Sequence, residues 1–141
     1  MTTSRVGVPC RWCDMIDHAS IAVRDLAASA AFYEQVLAPL GYKKLVVRPH
    51  TIGFGKTYAE VWLNHRPTMT KPKADSGAHL ALRARGTDVV DAFHRAALAA
   101  GGACDGPPGL RPGDSDGYYA AFVRDPVGNR IEAVTFLTTA S

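Results

Sequence analysis

Cysteine is scarce in this chain. Its 3 cysteines in 141 residues are an odd number, which argues against a disulfide framework as the source of stability. Long hydrophobic runs are missing as well: no apolar stretch approaches the length that crosses a bilayer, so the expected protein is soluble, with no membrane partner. The opening MTTSRVGVPCRWCD has no apolar run of signal-peptide length, and the expected location is cytoplasmic. Nor does charge of one sign gather anywhere. Lysines and arginines number 16 against 13 aspartates and glutamates, scattered without a block or an aromatic-interleaved basic face, and nucleic acid is excluded as the expected partner. The net charge of +3 favours small anionic molecules without selecting one.

What is present is a chain of ordinary globular composition, 47% hydrophobic and 21% charged, of a length that suits one domain with one core. Within it one pattern occurs twice. HASIAVRDLAASAAFYEQVLAPLGY starts at His18 and HLALRARGTDVVDAFHRAALAAGGA at His79. His18 falls on His79, Phe32 on Phe93, Leu37 on Leu98 and Gly41 on Gly102, all at one offset (79−18 = 93−32 = 98−37 = 102−41 = 61). In each copy a histidine opens an alternating, strand-like run, and an amphipathic helix follows and stops at glycine.

Residues 1–14 show neither period and read as a flexible extension. Cys10 and Cys13 within it form a CxxC, half the spacing of a zinc site without a second pair, and read as incidental. From Asp17 to Arg24 the alternation predicts a strand, with His18 on the face opposite Ile21 and Val23. Leu26 to Leu40 has helical spacing, capped by Asp25, stopped by Gly41 and disturbed in its last turn by Pro39. Three short strands follow, over 42–48, 51–54 and 57–64, and the proline- and charge-rich 65–77 reads as a linker. The second copy opens with a strand over 78–84. Its helix runs from about Asp88 to Ala100, capped by Thr87. Residues 104–117, dense in glycine and proline, read as a long loop of the kind that forms a lid or pocket rim, with a short strand near Ala103. Strands over 118–125 and 130–136 close the copy, and 137–141 is a tail. The domain is thus 15–136, made of modules 15–64 and 78–136, each βαβββ, an α+β architecture.

Each module ends on a strand with a carboxylate, Glu60 in YAEVWL and Glu132 in NRIEAV. Their offset is 72 (132−60), which exceeds 61 by 11, and the extra residues are assigned to the 104–117 loop. Two imidazoles and one or two carboxylates brought to one cleft suit a divalent ion, with Zn, Ni, Mn, Co and Fe all compatible with such N/O ligation. Trp62, Tyr118, Tyr119 and Phe122 are candidates for an aromatic pocket, although large apolar residues on strands more commonly serve the core. Arg48 and Arg111 are candidates for gripping an anionic substrate, against the plainer role of solvated surface arginines.

The segments MIDHASIAVRDLAASAAFYEQVL, GAHLAL and DPVGNRIE, in that order over residues 15–136, resemble the vicinal oxygen chelate superfamily. That group includes glyoxalase I, extradiol dioxygenases, fosfomycin-resistance thiol transferases and bleomycin-resistance proteins. The resemblance implies two βαβββ modules forming a partly closed curved sheet, a divalent metal held by His18, His79 and Glu132, and a homodimer acting on a small-molecule substrate. It implies a lyase, isomerase or dioxygenase that chelates neighbouring oxygens of that substrate. Some relatives carry a further glutamate in the last strand of the first module. Glu60 is the candidate for that ligand and for a general base, unless Trp62 takes the place facing the cleft. The alternative is a non-catalytic binding protein of the bleomycin-resistance kind, a class whose members usually lose the ligands.

Overall fold

The computed structural model describes residues 15–113 and 117–137. The extension 1–14 with its Cys10 and Cys13, and the tail from 138 on, lie outside the described residues. The elements run β1 (Ala19–Val23), α1 (Leu26–Leu37), a 3₁₀ turn (Ala38–Leu40), β2 (Lys43–Val47), β3 (Thr51–Gly55), β4 (Ala59–His65), β5 (Leu80–Arg83), α2 (Thr87–Ala99), β6 (Ala103–Leu110), β7 (Tyr118–Arg124) and β8 (Arg130–Phe136). They form two four-stranded sheets, ordered β1-β4-β3-β2 and β5-β8-β7-β6. In each sheet the first pair, β1 with β4 and β5 with β8, is parallel and the others are antiparallel. This is the expected pair of βαβββ modules, with neither sheet closed. The repeat offset survives in space, since strand starts (80−19) and helix starts (87−26) both differ by 61.

Local chemistry sets the element ends. The Asp25 side chain accepts from the Ala28 N–H at 3.0 Å, the expected N-cap. The α-helix stops at Leu37 and tightens into the 3₁₀ turn, because Pro39 has no N–H to give. Gly41, at φ 83°, turns the chain out and donates its N–H to Ala38 O. At the second helix the expected Thr87 cap is not found. The N-cap is Gly86 in extended backbone with no side-chain cap bond, and Thr87 is the first helical residue. The Asp88 carboxylate lies where a Cβ on Gly86 would stand, 2.8 Å from it, and its charge in the first turn suits the helix dipole.

The expected long loop at 104–117 needs correction. Its first half, residues 104–110, belongs to strand β6, whose pairing with β7 shifts register at Cys104/Gly106 and again at Gly106/Gly109. β6 is an edge strand, so Pro107 and Pro108 delete no donor that an interior ladder would need, and the bulges absorb their fixed φ.

One core serves both modules. Phe32, Tyr33, Val36 and Leu37 of α1 and Val90, Phe93 and Ala97 of α2 are buried in a single cluster with Val23, Leu63, Val123 and Ile131 of the sheets. Each such large side chain contributes about 1.5–3 kcal/mol on burial, and because the cluster crosses the module boundary neither module keeps its core alone. The helices pack on each other and on the inner faces of the sheets.

A polar joint ties the modules together. Buried Asp125 accepts the N–H groups of Val127, Gly128 and Asn129 on one oxygen, at 2.8 to 3.0 Å. Its other oxygen takes the Tyr33 hydroxyl of α1 at 2.7 Å and the Asn129 amide at 2.8 Å. Asn129 also donates to Ala22 O of β1 at 2.9 Å. The DPVGN segment is therefore the clasp between modules.

Candidate functional site

Alternation along the strands decides which side chains leave the core. In β4, Val61 and Leu63 are buried, while Glu60, Trp62 and Asn64 take the other, half-buried face. In β7, Tyr119 points to the helices, its hydroxyl donating to Asp91 of α2 at 2.7 Å, so Tyr118, Ala120 and Phe122 occupy the open face. Tyr118 stays among the candidate substrate contacts on this face and Tyr119 does not join it. The bond to Asp91 also holds the Tyr119 hydroxyl above its usual pKa.

Both repeat histidines stand one residue ahead of their strands, β1 and β5, rather than within them. His79 opens the row His79, Ala81, Arg83 on the open face of the second sheet, and its Nε2 lies 3.1 Å from Glu132 Oε2. Glu132 is 1% exposed, and its other oxygen accepts from the Tyr118 hydroxyl. A buried carboxylate is costly without such partners. On its far side His79 has Nδ1 3.2 Å from Gly77 O. A carbonyl only accepts, so Nδ1 carries the hydrogen, and the neutral ring turns a lone pair on Nε2 toward a carboxylate oxygen. Two acceptors this close either share a proton, carried by the ring or by the carboxyl, or meet a cation between them. A histidine bonded through Nδ1 to a carbonyl and presenting Nε2 is the usual posture of a metal-ligating imidazole.

His18 has the same posture. Its Nδ1 is 2.8 Å from Asp17 Oδ2, and its side chain is 52% exposed. Ala19, the next residue, lines a cleft of about 310 Å³ at the seam between modules, together with Ser20, Ala22, His79, Asn129 and Arg130. The two histidine-bearing ends therefore converge on one seam. Among the described residues, however, no three of His, Cys, Asp and Glu come together as a metal-holding group: His79 and Glu132 are paired, and His18 stands apart.

The register shows which of Glu60 and Trp62 is the repeat partner of Glu132. Ala19 pairs with Val61 and Ser20 with Trp62; Leu80 pairs with Ile131 and Ala81 with Glu132. Since Ala81 is the repeat partner of Ser20 (81−20 = 61), Trp62 is the repeat partner of Glu132, at an offset of 70 (132−62) rather than 72. Trp62 covers Gly53, where a Cβ would stand 3.0 Å from the ring, and Arg48 lies 5.3 Å over it. Glu60 shares that face two residues earlier, beside Tyr42, whose hydroxyl is held above its usual pKa first by burial and then by the Glu60 charge.

Around Glu132 the open face carries aromatic rings and arginines. Arg111 lies 5.0 Å over the Phe122 ring and donates to Pro107 O at 2.7 Å and Ala120 O at 3.2 Å. Arg83 lies 4.6 Å over Phe136. Arg83 and Phe136 escaped the sequence reading, although the HLALR alternation places Arg83 on the face of His79.

A chain built as two βαβββ modules, with a histidine and a buried glutamate converging on one open sheet, has the architecture of the vicinal oxygen chelate proteins. Comparison with known proteins gives the same family. The model for the Glyoxalase/Bleomycin resistance protein/Dioxygenase superfamily matches residues 15–133, and the chain belongs to that superfamily. Similar solved structures include a glyoxalase/bleomycin resistance protein from Albidiferax ferrireducens T118. It is 30% identical, with TM-score 0.72, and the alignment covers 86% of this chain and 98% of that one. A glyoxalase/bleomycin resistance protein/dioxygenase family enzyme from Burkholderia phytofirmans PsJN is 21% identical, with TM-score 0.67 and coverage of 86% and 98%. Lactoylglutathione lyase from Agrobacterium tumefaciens is 21% identical, with TM-score 0.60 and coverage of 84% and 91%; these last two likenesses show the fold. No curated protein matches the chain.

Proposed function

We propose that the chain is a metal-dependent enzyme of glyoxalase or dioxygenase type acting on a small oxygen-bearing substrate, with His79, Glu132 and His18 as the ligands. The observation that carries this reading is the convergence of His79 Nε2 on a fully buried Glu132 oxygen at 3.1 Å, with both groups oriented from behind by Gly77 O and Tyr118. The donor set fits a borderline divalent ion of the Zn, Ni, Mn, Co or Fe kind. Bound there, such an ion would supply Lewis-acid polarisation of substrate oxygens.

The chain's own residues do the rest. Tyr118 fixes the Glu132 carboxylate so that one oxygen faces His79. His18 is assigned as the third ligand from the β1 side, because it immediately precedes Ala19, which lines one cleft with His79. With Trp62 at the repeat partner of Glu132, the reading has three ligands, which favours the dioxygenase-like arrangement over a four-ligand isomerase site. Glu60, the carboxylate two residues from Trp62 on the same face, is the base assigned to any proton transfer. A cytoplasmic homodimer belongs to the same reading.

The test is turnover. Chelator-stripped protein, reloaded with each of the five metals, is assayed against catechols under oxygen, methylglyoxal with glutathione, and fosfomycin with thiol. Metal-dependent consumption of one of these is expected. A reloaded protein that binds one of them tightly and converts none would contradict the enzyme and leave the binding protein.

A further inference from the structure

We infer that a basic cavity between the two modules binds a small molecule bearing a diphosphate or a comparably compact, multiply charged phosphate group. The cavity shares no residue with the seam cleft or with the proposed metal centre, so the inference goes beyond the proposed enzyme and does not rest on it.

Three separate segments each bring one cation to this cavity of about 370 Å³. Lys43 opens β2, Lys56 follows β3, and Arg85 lies in the link from β5 to α2. The β2–β3 register seats Lys43 opposite Gly55, the residue before Lys56, so both lysines start from neighbouring positions of one hairpin. Arg85 answers them from the second module, with Val89 of α2 beside it, and the 3₁₀ turn with Gly41 closes the first-module side. Gly41 keeps that side low. A Cβ there would lie 3.6 Å from Lys56 Cε, so the lysine stem runs close across the turn, and its Nζ is steadied 5.6 Å from the centre of the Tyr42 ring.

The charges of this cavity are left standing. No aspartate or glutamate lines it, and none of Lys43, Lys56 and Arg85 has an ion-pair partner among the described residues. The adjacent Lys44, by contrast, is held by Glu34 at 3.1 Å. Asp88 turns back toward Gly86 and Glu60 acts on Tyr42, and neither pairs with a cation of the cavity. The carbonyl end of α1 and its 3₁₀ turn offers roughly half a negative charge against three positive ones. Like charges gathered on one hollow repel, and a bound polyanion removes that repulsion. Lysine meets a phosphate as a point charge and the arginine fork spans two of its oxygens. A compact group with several charges therefore engages all three heads at once, where a single carboxylate engages fewer. All three side chains are exposed, so the ligand reaches them without opening the core.

The experiment titrates chelator-stripped, full-length protein by calorimetry with inorganic pyrophosphate, inorganic phosphate, citrate and a single-stranded DNA dodecamer. Pyrophosphate is expected to saturate one site per chain, with phosphate and citrate each at least about tenfold weaker and the dodecamer unable to displace it. Lys43→Gln, Lys56→Gln and Arg85→Gln should each weaken pyrophosphate about fivefold or more, and Arg85→Lys, which keeps the charge but not the fork, by less. Lys44→Gln, which removes a neighbouring charge outside the cavity, should change affinity by less than about twofold. Pyrophosphate should also raise the thermal midpoint of wild type and leave that of the Lys43→Gln, Arg85→Gln double variant where it is; unliganded midpoints check that the variants fold. His79→Ala should bind pyrophosphate as wild type does, which separates this site from the metal centre. Absence of pyrophosphate binding, equal binding of phosphate or citrate, or displacement by the dodecamer overturns the inference. So does a loss in Lys44→Gln or His79→Ala as large as the losses at the three cavity positions.

Discussion

At the scale of single residues, the Tyr33 hydroxyl and the Asp125 carboxylate carry the most consequence for stability. Burial, followed by the adjacent Asp125 charge and the bond to it, pushes Tyr33 well above its ordinary value of 10.0. The folded state therefore keeps this proton at a pH where the unfolded chain gives it up. The stability tied to it is complete below pH 10 and is lost above it, by about 1.4 kcal/mol per pH unit. Denaturant melts between pH 9 and 11 should show this slope in wild type, and Tyr33→Phe should flatten it while costing about 2 kcal/mol at pH 7, the worth of a hydrogen bond to a charged group. A second residue-scale expectation concerns Tyr118. Tyr118→Phe leaves the ring packed on Phe136 but leaves one buried Glu132 oxygen without its donor, so metal affinity measured by competition with a chelator should fall about tenfold or more and the fold should lose about 1–3 kcal/mol in chemical denaturation. The residues of this scale were unevenly legible. The repeat and the family segments pointed to His79 and Glu132, which the fold pairs, and equally to His18, which the fold leaves apart from them. Asp125 and Asn129 were in plain view within DPVGN, yet their role depends on Tyr33, ninety-two positions away, and no local pattern joins the two.

Elements were more legible than their edges. The Asp25 cap, the Pro39 disturbance and the Gly41 stop are local chemistry, and each is found where the sequence places it. Strand β6 was hidden because its two prolines and two glycines speak for a loop, and only its position at the sheet edge makes them tolerable. The register of β4 was hidden for a similar reason. Counting by carboxylates aligned Glu60 with Glu132, whereas pairing to β1 aligns Trp62, because the insertion between modules follows the sheet and not the charge pattern. Gly102, the repeat partner of Gly41, tests how tightly the elements close. A Cβ there would lie 2.8 Å from Arg124 O, 2.9 Å from Ala97 O and 2.9 Å from the Phe32 ring. Two of these are backbone atoms on different elements, which yield only if α2 and β7 separate. Gly102→Ala should therefore destabilise the protein by about 1–3 kcal/mol in chemical denaturation, whereas Gly101→Ala meets no atom within 4 Å and pays only for its φ of 96°.

For the whole molecule, the repeat supplied two modules and the shared core explains why they act as one. The clasp from Asp125 through Asn129 to Ala22 and Tyr33 holds the seam at which His79 and the start of β1 meet. An account in which each chain builds its own centre makes an asymmetric expectation. Mixing His18→Ala with Glu132→Gln protein after unfolding and refolding should restore no metal site, because every chain lacks one ligand. A centre shared between chains would regain sites in the mixed dimers. Whichever chain supplies His18, the central claim is that His79 and Glu132 bind a divalent ion. Calorimetric titration of chelator-stripped protein with Co²⁺ tests it most directly. The account expects one site per chain in wild type and in Glu60→Gln, weakened at least about tenfold in Tyr118→Phe and abolished in His79→Ala and Glu132→Gln. Wild-type protein that takes up no Co²⁺, or His79→Ala and Glu132→Gln proteins that take it up as wild type does, would contradict it.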